Sequence, residues 1–174
     1  MQDLRHIARN IRLAIFDVDG VLTDGSIFLS AAGEELKAFH TLDGHGMKML
    51  QASGIELAII SGRSSRCLEL RARDLGIGLL YQGVADKLQA FEQLLQRTSI
   101  DAAQACYMGD DVVDLPVMRR CGLALAVPHA PALVRRHAHY VTRLPGGHGA
   151  VREACEVLLR ARGCFDAQMA SHLR

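Results

Sequence analysis

Asp17 and Asp19 stand two apart at the end of an apolar run, Ala14-Ile15-Phe16, and Gly20 follows them. Residues two apart on an extended chain point to the same side, so both carboxylates can face one site. Gly20 lets the chain turn sharply beyond them. Neighbouring carboxylates can divide labour, one as nucleophile and the other as general acid and base. An acidic turn after a strand would explain the same residues equally well, so the pair decides nothing alone.

If the target is a phosphate ester, charge is the obstacle. A carboxylate about 4 Å from a dianionic phosphate, at an effective dielectric near 20, is repelled by about 8 kcal/mol. Such a site needs cations. Gly109-Asp110-Asp111-x-x-Asp114 offers hard oxygens for Mg²⁺, and Lys87, at a predicted helix start, adds a second positive charge. Together these can cancel the repulsion and stabilise a transferring phosphoryl group. Each piece has a plainer role. Asp110 and Asp111 would suit a helix N-terminus, Ser61-Gly62 a helix cap, and Lys87 a solvated helix face. Order and joint position set these aside: D-x-D-G-V-L-T-D-G, S-G-R, Lys and G-D-D-x-x-D follow one another, each at a strand end or helix start.

The elements that must position them alternate. Arg12 to Phe16, Glu56 to Ile60, Leu79 to Gln82, Gln104 to Met108, Leu123 to Val127 and His139 to Val141 read as short buried strands. Ser64 to Leu75, Asp86 to Gln96 and Gly149 to Leu159 read as helices, with Gly163 as a C-terminal stop. The pattern predicts an α/β, Rossmann-like parallel sheet with helices on both faces, ligands binding at the carboxyl ends of its strands. Ser26 to Ser30 and Glu35 to His40 break the alternation as a hairpin of about residues 26–40. A lone hairpin is barely stable in water, so another subunit is the simplest thing for it to pack on.

The 174 residues show no repeat or linker and read as one domain, 1–174. Lys plus Arg (20) nearly balances Asp plus Glu (19), and no basic run argues for nucleic acid or an anionic membrane. No apolar run spans a bilayer, and the N-terminus lacks a secretory core. Five cysteines without a Cys-x-x-Cys pair read as reduced thiols in the cytoplasm. His45, His129, His137, His139 and His148 show no metal spacing.

The four clusters resemble the haloacid dehalogenase superfamily of phosphatases. The resemblance implies that Asp17 forms an aspartyl-phosphate while Asp19 protonates the leaving oxygen and then activates water. It implies Mg²⁺ held by the Asp17 carboxylate, the Asp19 main-chain carbonyl and Asp110. Ser61 and Lys87 would bind phosphoryl oxygens, and Asp111 and Asp114 would orient the metal site from behind. About forty residues separate Asp19 from Ser61 and about two dozen separate Ser61 from Lys87, too few for a cap domain.

The finer pattern is similar to the capless, tetrameric members acting on 3-deoxy-D-manno-octulosonate 8-phosphate in lipopolysaccharide sugar biosynthesis. It is carried by His40-Thr41-x-Asp43-Gly44-x-Gly46, Tyr81-Gln82-Gly83 and Gly146-Gly147-x-Gly149-Ala150-Val151-Arg152-Glu153. By that resemblance His40, Thr41, Leu42, Asp43, Gly44, Lys48, Gly62, Arg63 and Arg71, with Asp19, Ser61 and Lys87, line a sugar-acid phosphate site. A homotetramer in which hairpins cover neighbouring sites is implied too. The alternatives are a phosphatase of another acid-sugar phosphate of the 9-phospho sialic acid type, a non-catalytic assembly domain, and a signalling receiver domain. The second acid at Asp19 argues against a stored phosphoryl signal.

Overall fold

The computed structural model describes residues 2–170 and Leu173. In chain order the elements are α1 (Gln2–Arg9), β1 (Leu13–Phe16), β2 (Phe28–Leu29), β3 (Glu35–Leu36), α2 (Thr41–Ala52), β4 (Glu56–Ile60), α3 (Arg66–Leu75) and β5 (Leu79–Tyr81). They continue with α4 (Lys87–Thr98), β6 (Ala105–Gly109), α5 (Leu115–Met118), β7 (Leu123–Ala126), α6 (Ala132–Arg136), β8 (Tyr140–Val141), α7 (Ala150–Ala161) and α8 (Phe165–Ala170). Six strands form one parallel sheet in the order β5-β4-β1-β6-β7-β8. β1, β6 and β7 are buried along their whole length, which is why they read as unbroken apolar runs rather than alternating ones.

The chain steps from β1 outward to β4 and β5, then returns to β6 and steps the other way. Right-handed crossovers place helices on opposite faces when that direction reverses. α7 accordingly packs on α1, α2 and α8, while α4 packs on α5, and α2 and α4 both reach β4. The reversal falls between β1 and β6, where strand ends splay around a crevice. There Phe16 pairs with Met108, and Asp17 N–H donates to Met108 O at 3.0 Å.

The hairpin is shorter than its sequence suggests. Only Phe28–Leu29 and Glu35–Leu36 pair, and the chain is already turning into α2 by His40. The cross-strand pair Phe28 and Leu36 is 54% and 67% exposed. Nothing among the described residues covers that side of the ribbon, so the ladder has no packing to extend it. α1 and α8 carry no expectation from sequence. The tail beyond Cys164, without a motif, begins as α8 with Phe165 and Met169 against the core, and residues 171, 172 and 174 lie outside those described.

Candidate functional site

Asp17 directly follows β1, Ser61 directly follows β4, and Asp110 directly follows β6, so three adjacent strand ends deliver three polar groups. Lys87 opens α4. Its position is set by Asp86, whose carboxylate accepts from Leu88 N at 2.9 Å and Gln89 N at 3.2 Å as an N-cap. The buried Lys87 ammonium then bridges Asp17 Oδ1 at 2.9 Å and Asp114 Oδ1 at 2.7 Å. Burial alone would lower the Lys87 pKa, but Asp17 and Asp114 more than offset it and hold it above its ordinary value.

Asp17, Asp110 and Asp114 form the acidic cluster, with one oxygen of each within 4.8 Å of the others. Among protein charges alone, burial and then repulsion from Asp114 raise the Asp17 carboxyl. Burial and then repulsion from Asp17 raise that of Asp110. Three carboxylates against one ammonium leave a deficit of positive charge. Hard oxygens at this spacing fit a magnesium ion, which also supplies that charge.

The three acids are not equivalent. Asp114, with no exposed surface, accepts from Lys87 Nζ and, at 2.6 Å, from Tyr107 OH on one oxygen. Its other oxygen accepts from Asp110 N at 2.9 Å and Asp111 N at 3.0 Å. All four of its acceptor positions are therefore taken. That makes Asp114 a brace for the loop and for Lys87, and leaves Asp17 and Asp110 as the side chains free to hold metal. Asp111, solvent-facing, closes the 3₁₀ turn at 112–114 through Val112 N at 2.7 Å.

Gly20 is required by both angle and space. Its φ is +93°, and a Cβ there would stand 2.1 Å from Asp110 Oδ2. A side chain at Gly20 would push Asp110 off the cluster. The Asp19 carboxylate is not in the cluster. Lys37, from the segment just after β3, forms an ion pair with Asp19 Oδ1, and Arg63 Nε lies 3.7 Å from Asp19 Oδ2. Glu35 bonds the same two cations, Lys37 at 3.4 Å and Arg63 at 3.0 Å. Ser61, buried, accepts from Arg63 N at 3.3 Å, and Gly62 follows in the same turn.

The other expected contacts divide. Arg71 donates to His40 O at 3.4 Å, pairs with Asp74 at 2.8 Å and passes so close to Gly44 that a Cβ there would be 2.2 Å from its Nη2. Thr41 and Leu42 are exposed in the first turn of α2, and His40 Nδ1 is buried with no hydrogen-bond partner among the described residues. Asp43 does something the sequence did not suggest: it accepts from Arg152 N at 2.7 Å and Gly149 N at 3.3 Å, capping α7 from 109 and 106 residues away. Lys48 lies on the exposed side of α2, two turns past His40. Lys37, Glu35 and Tyr107 are functional neighbours that motif reading missed. A signal existed for the first two, which stand two apart in the expected extended run Glu35 to His40 and so share a face.

Parallel sheet, switch-point acids and bridging lysine define a metal-assisted phosphoryl-transfer hydrolase. A family profile of haloacid dehalogenase-like hydrolases matches residues 79–152, and the whole-chain matches below extend it. The chain belongs to the haloacid dehalogenase-like hydrolases. It is 51% identical over 159 residues, 91% of this chain and 85% of the other, to the 3-deoxy-D-manno-octulosonate 8-phosphate phosphatase of Escherichia coli (strain K12). A probable phosphatase of the yrbI family from Pseudomonas syringae superposes with a TM-score of 0.98 at 50% identity, covering 100% of this chain and 99% of that one. The 3-deoxy-D-manno-octulosonate 8-phosphate phosphatase of Moraxella catarrhalis, solved with magnesium, phosphate and a KDO molecule, superposes at 0.97 and 42% identity, covering 99% of both chains.

Proposed function

We propose that this chain hydrolyses 3-deoxy-D-manno-octulosonate 8-phosphate to the free sugar acid and phosphate, in lipopolysaccharide sugar biosynthesis. The observation that carries the reading is Lys87 bridging Asp17 and Asp114 beside Asp110, in a chain about half identical to phosphatases named for that substrate.

Asp17 attacks phosphorus as the bond from phosphorus to the sugar oxygen breaks, and Asp19 gives its proton to that oxygen. Asp19 then takes a proton from water, whose oxygen attacks phosphorus. The bond from the Asp17 oxygen to phosphorus breaks, phosphate leaves, Asp17 is restored as a carboxylate and Asp19 as the protonated acid. Lys87 and Ser61 hold phosphoryl oxygens through both steps. Asp17, Asp110 and the Asp19 carbonyl would hold Mg²⁺, which would supply positive charge against the entering phosphate. Arg63, Arg71 and Lys48, with His40 to Gly44 and Gly62, serve the sugar-acid end, where a carboxylate calls for cationic donors. Asp43 acts there through the packing of α2 on α7.

The chain works as one cytoplasmic catalytic domain in a homotetramer. Supporting this are its unpaired cysteines and the exposed Phe28, Leu29 and Leu36 of the hairpin, which suit burial against other copies. No helix among the described residues is long and apolar enough to cross a membrane.

The test is phosphate release from octulosonate 8-phosphate, with a panel of other acid-sugar phosphates ranked by kcat/KM. Activity should require Mg²⁺ and vanish in Asp17→Asn; survival there sinks the nucleophile. Light scattering checks the tetramer, and a well-behaved active monomer refutes it.

A further inference from the structure

The hairpin has a second face. Leu36 points to solvent, while Glu35 and Lys37, on either side of it, point the other way, into the site. The Lys37 side chain is 1% exposed, although the ribbon that carries it packs little else. An ammonium so buried is retained only when its charge is met. It is met by Asp19 first and Glu35 second. Arg63, 46% exposed, approaches the other Asp19 oxygen and binds the same Glu35 oxygen. With Asp19 ionised, as it stands between giving its proton to the leaving oxygen and taking one from water, two cations and two anions alternate and the cluster is neutral. Cys67 Sγ–H, donating to Glu35 O at 3.3 Å, ties this part of β3 to α3.

We infer that Lys37 is a positioning residue for the proposed acid and base. It fixes one Asp19 oxygen while Arg63 steers the other, so the seating of the hairpin sets where the Asp19 carboxyl stands relative to a leaving group. This rests on the phosphatase reading above and on Asp19 as proton donor. Lys37 itself undergoes no bond change. The proton moves from the Asp19 carboxyl to the leaving oxygen as the phosphorus–oxygen bond breaks.

A role in proton donation differs from mere scaffolding in its dependence on the leaving group. Phenyl phosphate and 4-nitrophenyl phosphate are near in shape, contain no sugar and differ in how much their leaving oxygen needs a proton. In Lys37→Met, kcat/KM for phenyl phosphate should fall about 10- to 100-fold, within the range of a general-acid contribution, and that for 4-nitrophenyl phosphate less than about threefold. Lys37→Arg should recover most of the loss. An equal fall on both substrates, or none on either, overturns the positioning role. Asp19→Asn separates the two failures. A selective loss there but not in Lys37→Met overturns the role of Lys37 alone, whereas an unselective loss in both overturns the Asp19 reading and this one with it. If Lys37→Met elutes or melts abnormally, Lys37→Gln and Lys37→Arg carry the comparison under the same criteria.

Discussion

Tyr107 donates its phenolic hydrogen bond to Asp114 at 2.6 Å, beneath the acidic cluster and with no exposed surface on either residue. Burial, then the negative charge of Asp114, raises the Tyr107 pKa well above its ordinary value, so the phenol stays a donor. It thereby stabilises the acid that holds Lys87 against Asp17.

Removing that donor should cost both stability and rate. A hydrogen bond to a charged acceptor is worth about 1.5–3 kcal/mol. Tyr107→Phe should lose about that much in urea denaturation. Its kcat should fall without vanishing, because Lys87 retains Asp17. Unchanged stability would mean that the bond contributes nothing.

Asp43 should behave as a structural acid before anything else. Asp43→Ala strips one buried and one part-buried backbone N–H at the start of α7 of their acceptor, a loss of about 1–3 kcal/mol. Chemical denaturation measures it. Asp43→Asn, which keeps one acceptor oxygen, should lose less. A variant of full stability whose only defect is a raised KM would instead place Asp43 on the substrate.

Magnesium binding should release protons. With protein charges alone, the carboxyls of Asp17 and Asp110 are raised to about 6 and about 8. Between the ordinary carboxylate range and those values the folded state binds protons that the unfolded chain has released. Stability of metal-free protein should therefore fall as pH rises from about 4 to about 8. Bound Mg²⁺ keeps both groups ionised, so its stabilising effect should grow over the same interval. Titration calorimetry in buffers of different ionisation enthalpy counts the protons, and a buffer-independent heat at pH 7 would contradict the expectation.

Glu153 should have the opposite sign. Burial would raise its pKa, but Tyr140 OH at 2.6 Å and the backbone N–H groups of Arg143 and Leu144, each at 3.1 Å, outweigh burial and leave it lowered. A depressed carboxylate stabilises above its unfolded pKa, and that contribution is lost as pH falls through the folded one. Wild-type protein should lose this increment below about pH 4.5, the ordinary glutamate value. Glu153→Gln should be less stable at pH 7 and flatter with pH in the acid range, read from thermal melts across pH 3–7.

Much of the site was legible because it is local. Asp17, Ser61 and Asp110 each follow directly on a buried apolar run, and parallel sheets gather such positions at one edge. β4 spans Glu56–Ile60, the same residues its apolar pattern marks. α1 and α8 were not legible. They are short, and packing against α7 makes up for propensities that alone would not form a helix.

From the sequence by itself come the carboxylate pair, its polar and charged companions at strand ends and a helix start, and the alternation that brings them together, since period and turn chemistry act over a few residues. Only the tertiary structure decided how each charge is spent. Asp114 is filled by four donors and braces; Asp43 serves a helix more than a hundred residues away; Lys37 crosses from the hairpin to Asp19. Those assignments depend on which buried charges end up within hydrogen-bond reach, and burial and distance between segments remote in sequence exist only once the chain has folded.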